Sequence, residues 1–274
     1  MLTQAEKGRM FRALHERDFA FIIPNPWDAG SARLLAHLGF EALATTSAGA
    51  SFAAGKADGT MERDEVMAHV SIMVAATELP VSADLENGFG DSPESAAETI
   101  RMAAATGLAG GSIEDMSRGE GRSIYPRELA AERIRAAAEA AHSLPFPFTL
   151  TARAENYLGG KPDLKDTIER LQSYQEAGAD VLYAPGLTSR DDIGAVVRSV
   201  DRPVNVVVGL VGVPLSLEEL SALGVKRVSV GGSLARAAFG TLLRAGREMR
   251  EQGTFTFAGD AVSSREINGV FRRR

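Results

Sequence analysis

The chain has 274 residues, 45% of them hydrophobic and 24% charged, with a formal net charge of -6. That length and apolar content support one large core. The acidic balance, with no coherent lysine–arginine face beyond the closing Arg272, Arg273 and Arg274, argues against a nucleic-acid partner. Cysteine is absent, which excludes disulfides, thiolate zinc sites, iron–sulfur clusters and cysteine nucleophiles.

Residues 1–20 mix charges and hold no apolar signal-like run. The most hydrophobic stretch, VNVVVGLVGVPL at 204–215, is too short to span a bilayer and contains Asn205 and Pro214. The expectation is a cytoplasmic protein with no membrane partner. An opening helix, with Phe11 and Leu14 available for packing, leads to the strand FIIP at 21–24. Helix 28–38 follows, with Asp28 placed to cap it and Gly39 to stop it. The same unit then recurs. Further strands are expected at 42–45, 81–84, 111–114, 148–153, 181–183, 204–208 and 225–230, and helices at 62–77, 93–106, 127–141, 163–177, 189–198 and 216–222. Gly107, Gly178 and Gly224 each stand between a helix and the next strand, where a left-handed residue closes the helix. Eight short, almost uniformly apolar strands alternating with helices predict an α/β protein, a parallel eight-stranded (β/α)8 TIM barrel. One domain spans 1–274, without a linker. An open doubly wound sheet is the competing arrangement, but no GxGxxG follows the first strand.

In a barrel the catalytic groups gather at the carboxyl ends of the strands. The third strand ends PVSADLENGFGD, placing Asp84 where the apolar run stops and Glu86 two residues on. If the extended conformation persists, the two side chains share a face. The fourth ends GGSIEDM, with Glu114 at the comparable level and Asp115 beside it as a metal-site acid, a helix cap or a member of a rim salt bridge. Carboxylates packed together without a cation repel and take up protons. A hard divalent ion resolves the conflict, and oxygen donors suit magnesium, or manganese, better than zinc. Asp58, in GKADGT, reads either as a turn residue or as a further acid of this group.

The fifth strand ends FTLTARAENY, where Arg153 and Glu155 stand two apart, either as a structural ion pair or as a site for a substrate carboxylate or enolate oxygen. Asn205 is a polar residue in an apolar strand, placed to bond substrate or to satisfy neighbouring backbone. NPWDAG, with Trp27, reads as a cap or a substrate wall. In TTSAGAS, the amides of Ser47, Ala48 and Gly49 could face an anion. His15, His37, His69 and His142 all fall in or beside helices, away from the strand ends.

Taken in order, NPWDAGSARLL, TTSAG, PVSADLENGFG, GGSIED, TARAE and AGADVLYAPG resemble the isocitrate lyase and phosphoenolpyruvate mutase superfamily over most of the chain. The resemblance implies a magnesium-dependent barrel that makes or breaks a C–C or P–C bond beside a 2-oxo acid through an enolate-like intermediate. It further implies a homotetramer built as a dimer of dimers, with the last barrel helix exchanged between paired subunits. The 257–274 tail, with Val262, Ile267, Val270 and Phe271, is then a candidate for a subunit interface or for folding back on its own barrel. By the same resemblance Asp84 matches the central metal-binding aspartate, Glu86 stands where aspartate is usual, and Glu114 matches the next metal-site acid. Asp58 looks like the aspartate that holds metal-bound water, Arg153 like the arginine of a VAR motif, and 47–49 like the segment binding the substrate's carboxylate or oxo group.

The departures bear on the reaction. Lyases of the superfamily carry a KKCGH-like loop with a cysteine acid or base, whereas this chain has MSRGEGRSIYP at 116–126. The phosphonate-acting members place a lysine after the glutamate–aspartate pair and an asparagine further along; here Met116 follows Asp115 and neither is present. What remains is the enolate-stabilising half, whose simplest use is decarboxylation of oxaloacetate or a related acid. Arg118, Glu120, Arg122 and Tyr125 are the loop's candidate contributors, with Gly119 and Gly121 as flexible points. Phosphonopyruvate hydrolysis or a phosphonomutase-type reaction is one alternative, and a catalytically silent barrel used for binding or assembly is another.

Overall fold

The computed structural model describes residues 2–210 and 212–272; Val211 of the apolar stretch and Arg273 and Arg274 of the tail lie outside them. Eight strands follow one another, β1 (Phe21–Ile23), β2 (Leu43–Ala44), β3 (Val81–Asp84), β4 (Gly110–Glu114), β5 (Thr149–Arg153), β6 (Val181–Tyr183), β7 (Val204–Val207) and β8 (Arg227–Ser229). The helices are α1 (Gln4–His15), α2 (Ala29–His37), α3 (Ser47–Ala53), α4 (Arg63–Ala76), α5 (Pro93–Ala105), α6 (Arg127–His142), α7 (Leu164–Glu176), α8 (Arg190–Arg198), α9 (Leu217–Ala222), α10 (Ser233–Gln252) and α11 (Ser264–Arg272).

All strand pairs are parallel, in the order β1-β8-β7-β6-β5-β4-β3-β2. The sheet therefore curls until β2 faces β1, giving the expected (β/α)8 barrel. Between those two strands the join is made by single bonds instead of a ladder. Ala44 N–H donates to the Pro24 carbonyl (3.1 Å), and the Asn25 amide donates to the Thr45 carbonyl (3.0 Å). The Asn25 side-chain oxygen also accepts from the amides of Val230 and Gly231, both at 2.9 Å. One buried side chain thus ties the ends of β1, β2 and β8 together. A helix-to-strand turn behaves as the sequence requires at Gly178 (φ 104), where a side chain would be strained.

The barrel helices pack alanines inward: Ala96, Ala103 and Ala104 on α5 meet Ala137, Ala138 and Ala141 on α6 in one continuous core. Small residues let helices and strands approach closely, so eight units fit in a short chain. The carboxyl ends of the strands stay open. The opposite end is closed by α1, whose Phe11 and His15 pack edge-on with Phe21.

Three helices, α3, α10 and α11, lie outside the ranges expected from the sequence. Segment 47–53 forms α3, capped by the Thr46 side chain, where only a turn was expected. The long α10 buries just Ala235 and Ala245 and leaves Leu242 and Leu243 65% and 56% exposed. Beyond it α11 returns to α2, where Arg33 donates to the Phe271 carbonyl at 2.6 Å. No helix among the described residues is long and apolar enough to cross a membrane.

Candidate active site

At the open end lies a cavity of about 580 Å³, a size suited to a small ligand. Strand register explains what lines it. Glu114 pairs with Arg153, Arg153 with Tyr183, Tyr183 with Asn205, and Asn205 with Arg227. This row starts at the last residue of β4 and ends at the first residue of β8. Because barrel strands tilt, a row in register descends as it goes round. Glu114 and Arg153 therefore stand at the rim and Arg227 at the floor.

Arg153 is the centre of the rim. Its Nη1 reaches Asp84 Oδ1 at 2.8 Å, its Nη2 reaches Glu114 Oε2 at 3.1 Å, and its Nε donates to Glu155 Oε1 at 2.8 Å. Each acid comes from a different strand or the loop after it, so one guanidinium joins β3, β4 and β5. Burial weakens Arg153's charge, but Glu155, Glu114 and Asp84 together hold its proton well above the ordinary range. Burial also raises the Glu114 carboxyl, with Arg153 opposing. The Arg153 guanidinium stands 5.2 Å from the centre of the Tyr183 ring.

Asp84 and Glu86 do not share an extended face. Glu86 adopts φ 48, a left-handed conformation uncommon for a residue with a side chain, so the strand geometry stops at Asp84. Backbone bonding locks the turn: Glu114 N–H donates to the Glu86 carbonyl at 2.9 Å. Both carboxylates still line the cavity. Burial, followed by the charge of Asp84, pushes Glu86 up to about 7 despite Arg118, whose Nε lies 2.8 Å from its carboxylate. Asp58, at the mouth, is likewise raised by burial and by Asp84.

The loop 116–126 is a small hairpin. Met116 bridges Ile124, and Ser117 N–H donates to the Ser123 carbonyl at 2.9 Å. It fastens through Arg118, which besides Glu86 reaches the carbonyls of Gly59 and Met61. Arg122 lies 3.8 Å from Glu114 and lines the cavity. Behind the rim, Asp115 accepts from the Glu155 amide (2.8 Å), Arg170 (3.0 Å) and the Tyr174 hydroxyl (2.5 Å). Of its three sequence readings, the rim salt bridge is the one realised.

The cavity thus collects Asp58, Asp84, Glu86, Glu114, Arg122, Arg153, Glu155, Ser47, Ala48 and Asn205 from the sequence-based candidates. Besides Arg118 and Asp115, four candidates lie outside its lining. Tyr125 is tied down, its hydroxyl donating to Asp91 (2.6 Å) and accepting from Asn87 (2.8 Å). Glu120 sits exposed between Gly119 and Gly121 at the hairpin tip. The Gly49 amide is consumed by the Thr46 cap, and a side chain there would strike Trp27, which packs behind α3. The Ser47 amide donates to Asp84 Oδ2 at 3.2 Å. Sequence reading passed over Tyr183, Lys161, Ser229 and Arg227, which also line the cavity. For Arg227 the signal was present as a charge inside the apolar strand GVKRVSV.

A divalent cation is consistent with the donor set. Asp84, Glu86, Glu114 and Asp58 offer carboxylate oxygens alone, and burial with mutual repulsion raises three of them. A hard cation would relieve that repulsion. Among the described residues no three acidic or histidine side chains already converge as a formed metal-binding group; the arginines take up carboxylate oxygens in this arrangement.

A model of the phosphoenolpyruvate phosphomutase family matches residues 11–250. The chain belongs to that family. Through it the chain joins the isocitrate lyase and phosphoenolpyruvate mutase superfamily, as its motifs implied. A solved structure from Burkholderia cenocepacia J2315, provisionally described as a lyase/mutase, is 63% identical. It superposes with a TM-score of 0.95 over 98% of this chain and 96% of its own. Another from the same organism, provisionally described as a phosphonomutase, is 36% identical with a TM-score of 0.83, covering 92% of this chain and 100% of its own. An uncharacterised Mycobacterium tuberculosis protein is 32% identical over 223 residues, 81% of each chain. Family membership thus supports lyase or mutase chemistry on small 2-oxo acids.

Proposed function

We propose that the protein is a magnesium-dependent lyase or decarboxylase acting on a small 2-oxo acid such as oxaloacetate. The observation that carries this reading is Arg153, held at the rim by acids from three successive strand ends beside a cavity of ligand size. Asp84, Glu86, Glu114 and Asp58 are the residues that would hold magnesium, with manganese a substitute. The ion would supply Lewis-acid stabilisation of negative charge on the substrate's 2-oxo oxygen.

The protein's own groups do the rest. Arg153 lies where charge develops as the C3–C4 bond of oxaloacetate breaks, and its rigid anchoring means it need not reorganise during the reaction. The bonding electrons pass to the enolate, carbon dioxide leaves, and a proton delivered to C3 through water gives pyruvate. Glu155 positions Arg153 and is itself fixed by Asp115. Ser47 and Ala48 line the wall for the substrate's 2-oxo acid end. Arg122, on the 116–126 hairpin, brings positive charge from the mouth, and the hairpin limits water entry. Tyr125 and Glu120 have no direct part in this scheme.

The similarity to a protein described as a phosphonomutase favours one second reading, cleavage or rearrangement of a P–C bond at the same site. Time-resolved pyruvate release with magnesium, from oxaloacetate, phosphonopyruvate and 2-methylisocitrate, separates the two. Decarboxylation requires release from oxaloacetate that Asp84→Ala lowers by about a thousandfold, the scale of a lost electrostatic anchor. Preference for phosphonopyruvate moves the assignment to P–C chemistry, and no protein-dependent pyruvate from any of the three sinks both hydrolytic and decarboxylating readings. For assembly, the exposed apolar side of α10 supports exchange of that helix within a dimer of dimers. A monomeric mass by light scattering at micromolar concentration would exclude it.

A further inference from the structure

Arg227 is a second cation of the cavity, and its surroundings differ from those of Arg153. It is 5% exposed at the first position of β8 and lines the cavity at its floor. Two neutral groups fix it: Nε donates to Asn205 Oδ1 at 2.9 Å and Nη2 to Thr151 Oγ1 at 3.0 Å. Asn205 is in turn oriented by its amide donating to Ser229 Oγ at 3.0 Å. The remaining nitrogen, Nη1, is buried without a hydrogen-bond partner. None of the salt bridges among the described residues includes Arg227. Burial, with the neighbouring Arg153 also opposing its charge, lowers it to about 10, so it remains a cation at neutral pH. Nearby His15 adds no second positive charge, since burial first and Arg227 second hold it neutral, down to about 3.

A buried charge without a partner is costly, and proteins rarely keep one that nothing compensates. Here Asn205, Ser229 and Thr151 aim the guanidinium while leaving its charge unanswered. The 2-oxo acid end of a substrate belongs to the rim, where Arg153 and the metal-site acids stand. The floor lies at the other end of the same cavity.

We propose that Arg227 is a specificity-determining residue that receives a second anionic group, a carboxylate or a phosphonate, at the end of the substrate remote from the rim. This rests on the reading of the cavity as a 2-oxo acid site and narrows its substrates to dianions. Monoanionic 2-oxo acids leave the floor charge uncompensated and bind more weakly.

Calorimetric titration of the magnesium-loaded protein tests this with unreactive probes of matched length: succinate, 3-phosphonopropionate and butyrate. One or both dianions are expected to bind about tenfold or more tighter than butyrate, the scale of a hydrogen bond to a charged group. Arg227→Met should erase that preference and Arg227→Lys should keep part of it. The stronger of the two dianions identifies which group the floor takes. In a thermal melt without ligand, Arg227→Met should be at least as stable as the parent, because an unpaired buried charge is gone. Equal binding of all three probes by the parent overturns the proposal, as does a dianion preference that survives in Arg227→Met. A Met variant that fails to fold also overturns it, by making Arg227 part of the scaffold. The outcomes separate from those for the reaction. An Arg227-dependent dianion preference without oxaloacetate turnover discards decarboxylation alone, whereas turnover with an unchanged KM in Arg227→Met discards this inference alone.

Discussion

The two arginines of the cavity occupy one row of strand register, yet their environments are opposite. Arg153 contacts three carboxylates, whereas Arg227 contacts an amide oxygen and a hydroxyl. The rim is a place where positive charge is consumed by the protein, and its acids are crowded enough to call for more. The floor is a place where positive charge is left over. A cavity with acids above and an uncompensated cation below is polarised along its depth. That arrangement orders an elongated polyfunctional substrate more strongly than either end would alone.

The largest way to break the comparison is to remove the rim cation. Arg153→Met should cost about 3–5 kcal/mol of stability in denaturant titration, since it strands buried carboxylates without their partner. It should also lower kcat for the true substrate by about a thousandfold. Arg227→Met removes the same chemical group from the same row and should cost no stability. Equal losses at both positions would show that the two arginines are both structural and that the cavity has no polarity of the kind described.

The contrast also marks how far sequence carries. Eight strands, their order and the rim acids were legible because apolar runs stop at Asp84, Glu114 and Arg153, and a barrel puts such ends together. The span of α10, expected from the resemblance only as a last barrel helix, and Arg227 were not read, for different reasons. In α10 the apolar residues are spaced for a helix but face away from the barrel, so no neighbouring unit predicts them. Arg227 falls inside an apolar strand, where periodicity is read for core and a lone charge is easily discounted. Its meaning depends on Thr151, 76 positions away in the chain, and on its having no salt bridge among the described residues. Tyr125 differs in the other direction. Its position in a rim loop pointed to chemistry, but Asn87 and Asp91 from the β3–α5 segment claim its hydroxyl, and no local pattern announces that. The turn at Glu86 is similar: the apolar run stops at Asp84, but no local pattern announces that Glu86 itself turns left-handed.

The smaller effect, and the one that sharpens the comparison most, is the pH dependence of stability without metal. Glu86 rises in the folded protein from an ordinary 4.5 to about 7, by burial first and the Asp84 charge second. A raised carboxyl binds its proton more tightly folded than unfolded, so its contribution is fully present below pH 4.5 and is lost as pH climbs through 7. For Glu86 alone the change is about 3 kcal/mol across that window, and Glu114 and Asp58 shift in the same direction. Arg227 is lowered only to about 10 and stays protonated throughout, so it adds no slope there. In the metal-free protein, melting temperature should therefore fall between pH 5 and 8. Glu86→Gln should flatten the fall, while Arg227→Met should leave the slope intact and shift only its level. Magnesium should restore more stability at pH 8 than at pH 5, because the carboxylates must be ionised to hold it. A melting curve that rises with pH in the metal-free protein would mean that the rim acids are already satisfied by Arg153, Arg118 and Arg122, leaving no excess charge for a cation to relieve.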